Sequence, residues 1–326
     1  MQIFTNANYD FIRWRWHAII LSLLVIGAGA TLMVSRGLPL GIDFSGGTSL
    51  VIEFNEDVSL DRVRAAVAPL PGDEVVQQYG DPSERRVLIR LPQVEGVEEG
   101  AELEKSALRA EQVLREAGLP SFDIANRELV GPVIGADLQR RGIYATLTSL
   151  LAITIYIGVR FRFSFAVGAI AATLHDVFVT LAFLMFFRYD ISLNVVAAIL
   201  TITGYSVNDT IVIFDRVREN LRSRRKEPLD QVVNTSVNQT LGRTIITAGT
   251  TFLSVSALYL FGGEALEGFA FTMLVGVISG TYSTVFIASA IAIILSQKGG
   301  RTQVVAAASG EAPARQGRKP RRARAS

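Results

Sequence analysis

The 326-residue chain is 49% apolar with a formal net charge of +2, an average over an uneven distribution whose basic excess lies mostly in positions 297–326. Its positive mean hydropathy and clustered apolar runs place it in the membrane class and not among soluble multidomain proteins. The absence of cysteine excludes a disulfide framework and thiolate metal ligands, and two histidines are too few for a His-rich metal centre, so any chemistry falls to carboxylates and arginines.

A hydrocarbon core about 30 Å thick takes roughly 20 mostly apolar residues as helix. Six stretches qualify, at 17–34, 143–159, 165–187, 193–214, 244–261 and 269–295, which gives one span, a long gap, then five. Arg13 and Arg15 precede the first, and Ala28-Gly29-Ala30 resembles a cleavage site. The apolar run 18–34 nevertheless exceeds the roughly 7 to 15 residues of a signal core, so the segment reads as a retained anchor.

Beyond it, Gly41-Ile42-Asp43-Phe44-Ser45-Gly46-Gly47 has neither the preceding strand of a dinucleotide fingerprint nor the Lys-Ser/Thr of a P-loop, and it reads as a tight turn leading into a first strand. The strand is expected at 48–54. Ser59 then caps a helix carrying Leu60, Val63, Val67 and Leu70, stopped by Pro71-Gly72. Segments 74–79 and 85–91 flank the turn Gly80-Asp81-Pro82-Ser83 as a hairpin; a charged helix at 100–117 ends at Gly118, and 121–130 is a last strand. This βαββαβ order predicts an α+β ferredoxin-like domain inserted between the first two membrane helices. It carries no catalytic constellation and reads as a partner-binding or spacing module.

The expected division is therefore 1–37 for the N-terminus and first helix, 38–131 for the inserted domain, 132–296 for a five-helix bundle, and 297–326 for a basic disordered tail. The tail's Arg318-Lys319-Pro320-Arg321-Arg322 suits anionic lipid or ribosomal RNA, the alternative being a tail that only solvates. Short loops fix orientation. Arg160 and Arg162, and the run Arg216, Arg218, Arg222, Arg224, Arg225 and Lys226, belong inside, whereas 188–192 and 262–268 are nearly free of Lys and Arg. Both termini are expected in the cytoplasm and the inserted domain outside.

An ionisable group within a span costs roughly 2.5–3.5 kcal/mol on insertion scales and marks a functional site by default. His175 and Asp176 fall in the third span, Asp209 in the fourth and Arg243 at the entry of the fifth. Asn194, Thr201, Tyr205 and Asn208 form a stripe bordered by Asp209, while Arg243, Thr247, Thr250, Thr251 and Ser254 recur on one face of the next helix. Since neither face suits lipid, the two are expected to meet inside the bundle, with hydroxyls relaying hydrogen bonds. The structural alternatives are an Asp209–Arg243 pair that only pins two helices, an Arg243 that reaches the headgroups, and a His175 satisfied by a helix carbonyl. Gly276 and Gly280, four apart, predict close helix packing.

Taken together, the GIDFSGG run 41–47, His175-Asp176, Tyr205-Ser206-Val207-Asn208-Asp209-Thr210 followed by Asp215-Arg216-Val217-Arg218-Glu219-Asn220, and Arg243-Thr244 with Gly249-Thr250-Thr251 resemble the motifs of the SecF family. These are accessory subunits of bacterial protein export, within the SecD/SecF group of the RND superfamily, and the resemblance covers all but the basic tail. It implies a multi-pass protein of the bacterial plasma membrane that works with SecD, beside the SecY-containing channel. There the proton gradient drives the late movement of unfolded preprotein on the outer side.

Asp209 and Arg243 match the family's proton-pathway acid and neighbouring arginine, and the second key acid belongs to SecD. His175, Asp176, Tyr205, Asn208, Thr247, Thr250 and Thr251 are the polar relay positions of the bundle, and Gly41, Asp43, Gly46 and Gly47 form the family's turn. No cofactor or metal is implied; protons are the coupling ion, with sodium as the alternative. Other RND exporters usually have two large outer domains and twelve helices in one chain. An intramembrane hydrolase built on His175, Asp176 and Asp209 lacks a nucleophile, so a transport component, not an enzyme, is expected.

Overall fold

In hydrocarbon every backbone N–H and C=O must be satisfied within the protein, so long apolar runs become helices. The computed structural model describes residues 7–70, 75–80, 82–91 and 101–298. In chain order it has α1 (Arg15–Arg36), the single turn α2 (Ile42–Ser45), β1 (Gly47–Phe54), α3 (Leu60–Val67), β2 (Val75–Tyr79), β3 (Arg86–Leu91), α4 (Ala101–Glu116) and β4 (Phe122–Val130). There follow α5 (Pro132–Arg160), α6 (Phe163–Phe187), α7 (Leu193–Ser223), α8 (Leu229–Phe261) and α9 (Glu264–Ser283), the last continued by a π turn (Thr284–Ala288) into α10 (Ser289–Lys298). Among the described residues six helical segments, α1, α5, α6, α7, α8 and α9–α10, are long and apolar enough to cross a membrane. The expected stop at Pro71-Gly72, Asp81 of the hairpin turn and the basic cluster 318–322 lie outside the described residues.

Two helices start well before their apolar windows. α5 begins at Pro132, a first-turn proline whose missing N–H has no helical partner to lose, and α8 begins at Leu229. Arg243 therefore lies well inside α8, not at its entry, because the polar turns before it continue the same hydrogen-bonded helix. Half or more of the spans of α6, α7 and α9–α10 is buried, against 17%, 6% and 11% for α1, α5 and α8, so three helices form the centre and three the periphery. Gly276 on α9 is a point of close approach, where a Cβ would lie 2.1 Å from Ile202 Cδ1 of α7.

The inserted segment is a four-stranded antiparallel sheet in the order β2-β3-β1-β4, with a register shift in the β1–β4 pair between Val51 and Ile52. Leu50, Ile52 and Ile89 from the sheet, Val63 and Val67 from α3 and Leu114 from α4 form one buried core. Alternation along β1 and the helical spacing in α3 and α4 place these residues on facing surfaces.

Candidate functional site

The most enclosed charge is Asp176 in the middle of α6, 1% exposed. Its Oδ1 accepts hydrogen bonds from Ser279 Oγ (2.7 Å) and His175 Nδ1 (3.0 Å), and its Oδ2 from Ser206 Oγ (2.5 Å) and Ser283 Oγ (2.7 Å). His175 Nε2 is hydrogen-bonded to Ser22 Oγ of α1 at 2.8 Å, and Ser22 Oγ donates to the Tyr282 hydroxyl at 3.2 Å. Tyr282 stacks on the imidazole at 6.0 Å between centroids and donates to the Ala18 carbonyl at 2.6 Å. One carboxyl thus ties α1, α6, α7 and α9, and His175 uses side-chain partners instead of a helix carbonyl. A buried acid satisfied four times over is a stable arrangement, since the interior strengthens each bond and penalises any that is missing. Sequence reasoning missed Ser22, Ser206, Ser279, Ser283 and Tyr282. The available signal was Ser279 and Ser283, four apart and so on one face of the last membrane helix.

Asp209 on α7 is built differently. It is 9% exposed; Oδ1 accepts from Thr244 Oγ1 of α8 at 2.8 Å, and Oδ2 has no hydrogen-bond partner. Arg243 stands near enough for its charge to act on this carboxyl, but among the described residues it forms no ion pair. Tyr205 reaches Thr251 and Thr247 across the same seam.

The two polar stripes do not close on each other inside the bundle. Asn194, Thr201 and Asn208 on α7 and Arg243, Thr247, Thr250 and Ser254 on α8 are all exposed, with Tyr205 and Thr251 half-buried. The physical reason is that α8 hydroxyls satisfy themselves: Thr247 donates to the Arg243 carbonyl (3.0 Å), Thr250 to Ile246 (2.9 Å) and Ser254 to Thr250 (3.0 Å). Such back-bonds remove the need for a partner across the bundle. Polar groups join the two helices at Asp209 with Thr244 and Tyr205 with Thr251, and again near their connection, where Asn220 Nδ2 donates to Ser236 Oγ and Gln239 Oε1 at 2.8 Å each and Arg216 Nε donates to Gln239 Oε1 at 2.6 Å. Among the described residues no cluster of three or more His, Cys, Asp or Glu could hold a metal ion.

The glycine-rich turn connects the sheet to the bundle. Gly46 and Gly47 have φ of +69° and +117°, a region that favours glycine, and they turn the chain from α2 into β1. Gly41 N donates to Ile191 O (2.8 Å) and Ile191 N to Pro39 O (2.7 Å), which pins the turn to the loop between α6 and α7. Asp43 Oδ2 accepts from Leu193 N at 2.8 Å and so places a carboxylate on the N-terminus of α7. In that loop Asp190 pairs with Arg90 of β3 and accepts from Gln77 Nε2 of β2 at 3.4 Å. The adjacent Tyr189 donates to Glu267 Oε1 at 2.5 Å; burial and this bond hold its phenol above the ordinary range, so it stays a donor.

The Arg90–Asp190 pair is therefore a strut between sheet and bundle. Asp190→Arg should set two guanidiniums against each other, and Arg90→Asp with Asp190→Arg should restore much of the loss. A double-mutant cycle of thermal unfolding should give a coupling of about 1–3 kcal/mol; a coupling near zero would remove the strut.

These features can be set beside known proteins. Residues 109–298 match the C-terminal family of protein export membrane proteins SecD/SecF, and residues 31–58 match the SecD/SecF GG motif. The chain is 42% identical over 283 residues to the protein translocase subunit SecF of Desulfurispirillum indicum, covering 86% of this chain and 89% of that one. It is 40% identical over 291 residues to SecF of Escherichia coli O157:H7, covering 89% and 88%. The crystal structure of SecDF, a translocon-associated membrane protein from Thermus thermophilus, superposes with a TM-score of 0.79 at 31% identity, covering 92% of this chain. SecDF in its super-membrane-facing form gives 0.66 at 30% identity, again over 92% of this chain. In both comparisons the chain spans only 40% of the SecDF polypeptide.

Proposed function

The chain belongs to the SecD/SecF family of protein-export membrane proteins, and on that premise we propose that it is the SecF-type half of a proton-driven export unit completed by a SecD-type partner. The unit works beside a SecY-type channel and uses the proton gradient to advance unfolded preprotein late in translocation. The observation that carries this reading is Asp209. It is a nearly buried carboxyl with one oxygen held by Thr244 and the other unpartnered, at the edge of a polar surface. A group so placed can gain or lose a proton without dismantling a network, whereas the carboxyl of Asp176 holds four hydrogen bonds. Arg243 is its electrostatic partner, and protons are the coupling ion, with sodium the alternative that ion substitution would distinguish.

The exposed stripes of α7 and α8 support a partner in the membrane, because polar side chains next to lipid are costly unless covered. The SecDF chain, of which this one spans 40%, has room for such a partner within the same polypeptide. In our reading the βαββαβ segment 38–131 is a ferredoxin-like domain on the extracytoplasmic side, and both termini are cytoplasmic. The strand order β2-β3-β1-β4 and the arginines at the α5–α6 and α7–α8 connections support it. The tail 297–326 would then lie near anionic headgroups or ribosomal RNA.

The test is reconstitution of vesicles containing a SecY-type channel and this chain, with and without a SecD-type partner. Preprotein completion should be accelerated only when both are present and a proton gradient is imposed. Acceleration by this chain alone, or equal acceleration without a gradient, would overturn the proposal.

A further inference from the structure

The chain ahead of α1 is held by a different helix. Asn234 and Asn238, four apart and so on one face of α8, bond the backbone of residues 9–12 and leave its side chains to pack elsewhere. Asn238 makes a two-way exchange with Tyr9: its Oδ1 accepts from Tyr9 N at 2.8 Å and its Nδ2 donates to Tyr9 O at 2.9 Å, as a neighbouring antiparallel strand would. Asn234 Nδ2 donates to the same carbonyl at 3.0 Å, and its Oδ1 accepts from Phe11 N (3.0 Å) and Ile12 N (3.5 Å). Those two N–H groups open the 3₁₀ turn Ile12–Trp14, which runs into α1. A helix start needs acceptors for its first N–H groups, and the usual source is a Ser, Thr, Asp or Asn at the N-cap itself. Here that position is Phe11, whose side chain has no acceptor, and Asp10 serves Arg13 N at 3.1 Å. Asn234 supplies the missing acceptor from α8, so one membrane helix caps another.

The side chains of the segment fix its register. Ile12 is buried with Phe165, Phe214, Val233 and Val237, and Phe11 meets Phe286 of the π turn edge to face at 6.1 Å. Asn238 is 7% exposed, so its amide would be costly to bury without the Tyr9 backbone as partner. The outer side of the segment is different. It borders a cavity of about 570 Å³ lined by Asp10, Arg13, Arg15 and Asp230 among others. Water in that cavity can take up the backbone groups when the asparagines let go, so the contact can open and re-form.

The contact joins elements that lie far apart in the chain. Asn220 of α7 donates to Ser236 at 2.8 Å and so ties the base of α7 to that of α8, one turn from Asn238. Six residues, roughly 9 Å of helix, separate Asn238 from Thr244, the donor to Asp209. In the other direction the segment continues into α1, where Ala18 O accepts from Tyr282 and Ser22 is bonded to His175. We propose that residues 9–12 are a strap through which the α7–α8 pair positions α1, with Asn234 and Asn238 as its positioning residues, and that the strap carries displacement of that pair to α1. The second step rests on Asp209 being the proton carrier; the first stands on the geometry alone.

The chain has no cysteine, so a nitroxide on Asn8→Cys, an exposed position beside the strap, reports the strap's mobility in the full chain in detergent. Asn238→Ala should shift the label's spectrum toward the mobile form, and Asn234→Ala with Asn238→Ala should complete the shift. An unchanged spectrum in the double variant would overturn the strap. In vesicles holding the whole complex, the ratio of preprotein movement with a proton gradient to that without one should fall by about fivefold in the double variant. A contact that served stability alone would lower both rates and leave their ratio as it was, so a wild-type ratio with a mobilised label would overturn the transmission step. If Asp209→Asn keeps wild-type rates while the label is still mobilised in the double variant, the proton carrier is elsewhere and the strap stands. Should the double variant not fold, Asn238→Ala carries both readouts.

Discussion

Asp209→Asn should leave the chain folded and bound to its SecD-type partner while proton flux and gradient-driven preprotein movement fall to background. Asparagine keeps the size of the side chain and an oxygen for Thr244, whose hydroxyl lies 2.8 Å from Oδ1. It cannot ionise. Because Oδ2 has no partner, no further bond is lost, and the change in stability should stay within about 1 kcal/mol. What disappears is the alternation between a neutral and a charged state.

On the proposed function, the ionised form beside Arg243 would favour an arrangement that brings α7 and α8 together, a preference the neutral form would lack. Arginine does not release its own proton, so in the proposed coupling the group that changes state is the acid. The strut from Asp190 to Arg90 and the cap from Asp43 to Leu193 N give any movement of α7 a route to the sheet. Proton flux and preprotein movement in vesicles containing the whole complex decide the matter. Wild-type rates in Asp209→Asn would make the acid a structural contact and place the proton path wholly in the partner.

Much of this organisation is legible in the residues. Long apolar runs have one solution in a bilayer, so the six helices and their order follow from hydropathy, and the period-2 pattern at 48–54 leads to β1 at Gly47–Phe54. Helix ends are less legible, because polar turns such as those before Arg243 extend a helix past its apolar window at no loss of hydrogen bonds. The direction of a polar stripe is less legible still. Periodicity placed Thr247, Thr250 and Ser254 on one face of α8, but whether that face points inward is not set by spacing, because each hydroxyl bonds a carbonyl of its own helix and needs no partner across the bundle. The hub at Asp176 was only half visible. His175 and Asp176 stand out as charges in a span, whereas Ser206, Ser279 and Ser283 are ordinary small residues in membrane helices until three helices converge on one carboxyl.

That convergence separates the two buried acids by an opposite response to mutation. Asp176→Ala should lower stability by about 3–5 kcal/mol, since it strips the acceptor from His175 Nδ1 and three serine hydroxyls at once. Some of the loss is recoverable. Ser283 Oγ also lies 3.2 Å from the Gly280 carbonyl, and a serine freed of the carboxylate can turn back to its own helix. His175 has less freedom, because its Nε2 is held by Ser22 and its face by Tyr282, so α1 should loosen from α6 first. Ser279→Ala and Ser283→Ala remove one donor each from an acceptor that keeps others, and each should cost only about 1 kcal/mol.

By contrast, Asp209→Ala forfeits the single bond to Thr244, about 1 kcal/mol, yet should abolish coupling as completely as asparagine does. Thermal unfolding of the four variants in one detergent, with hydrogen exchange along α1, measures the ranking. If Asp176→Ala unfolds at the wild-type temperature and still loses export, the carboxyl at the centre of the bundle carries protons after all, and the division between a structural and a working acid fails.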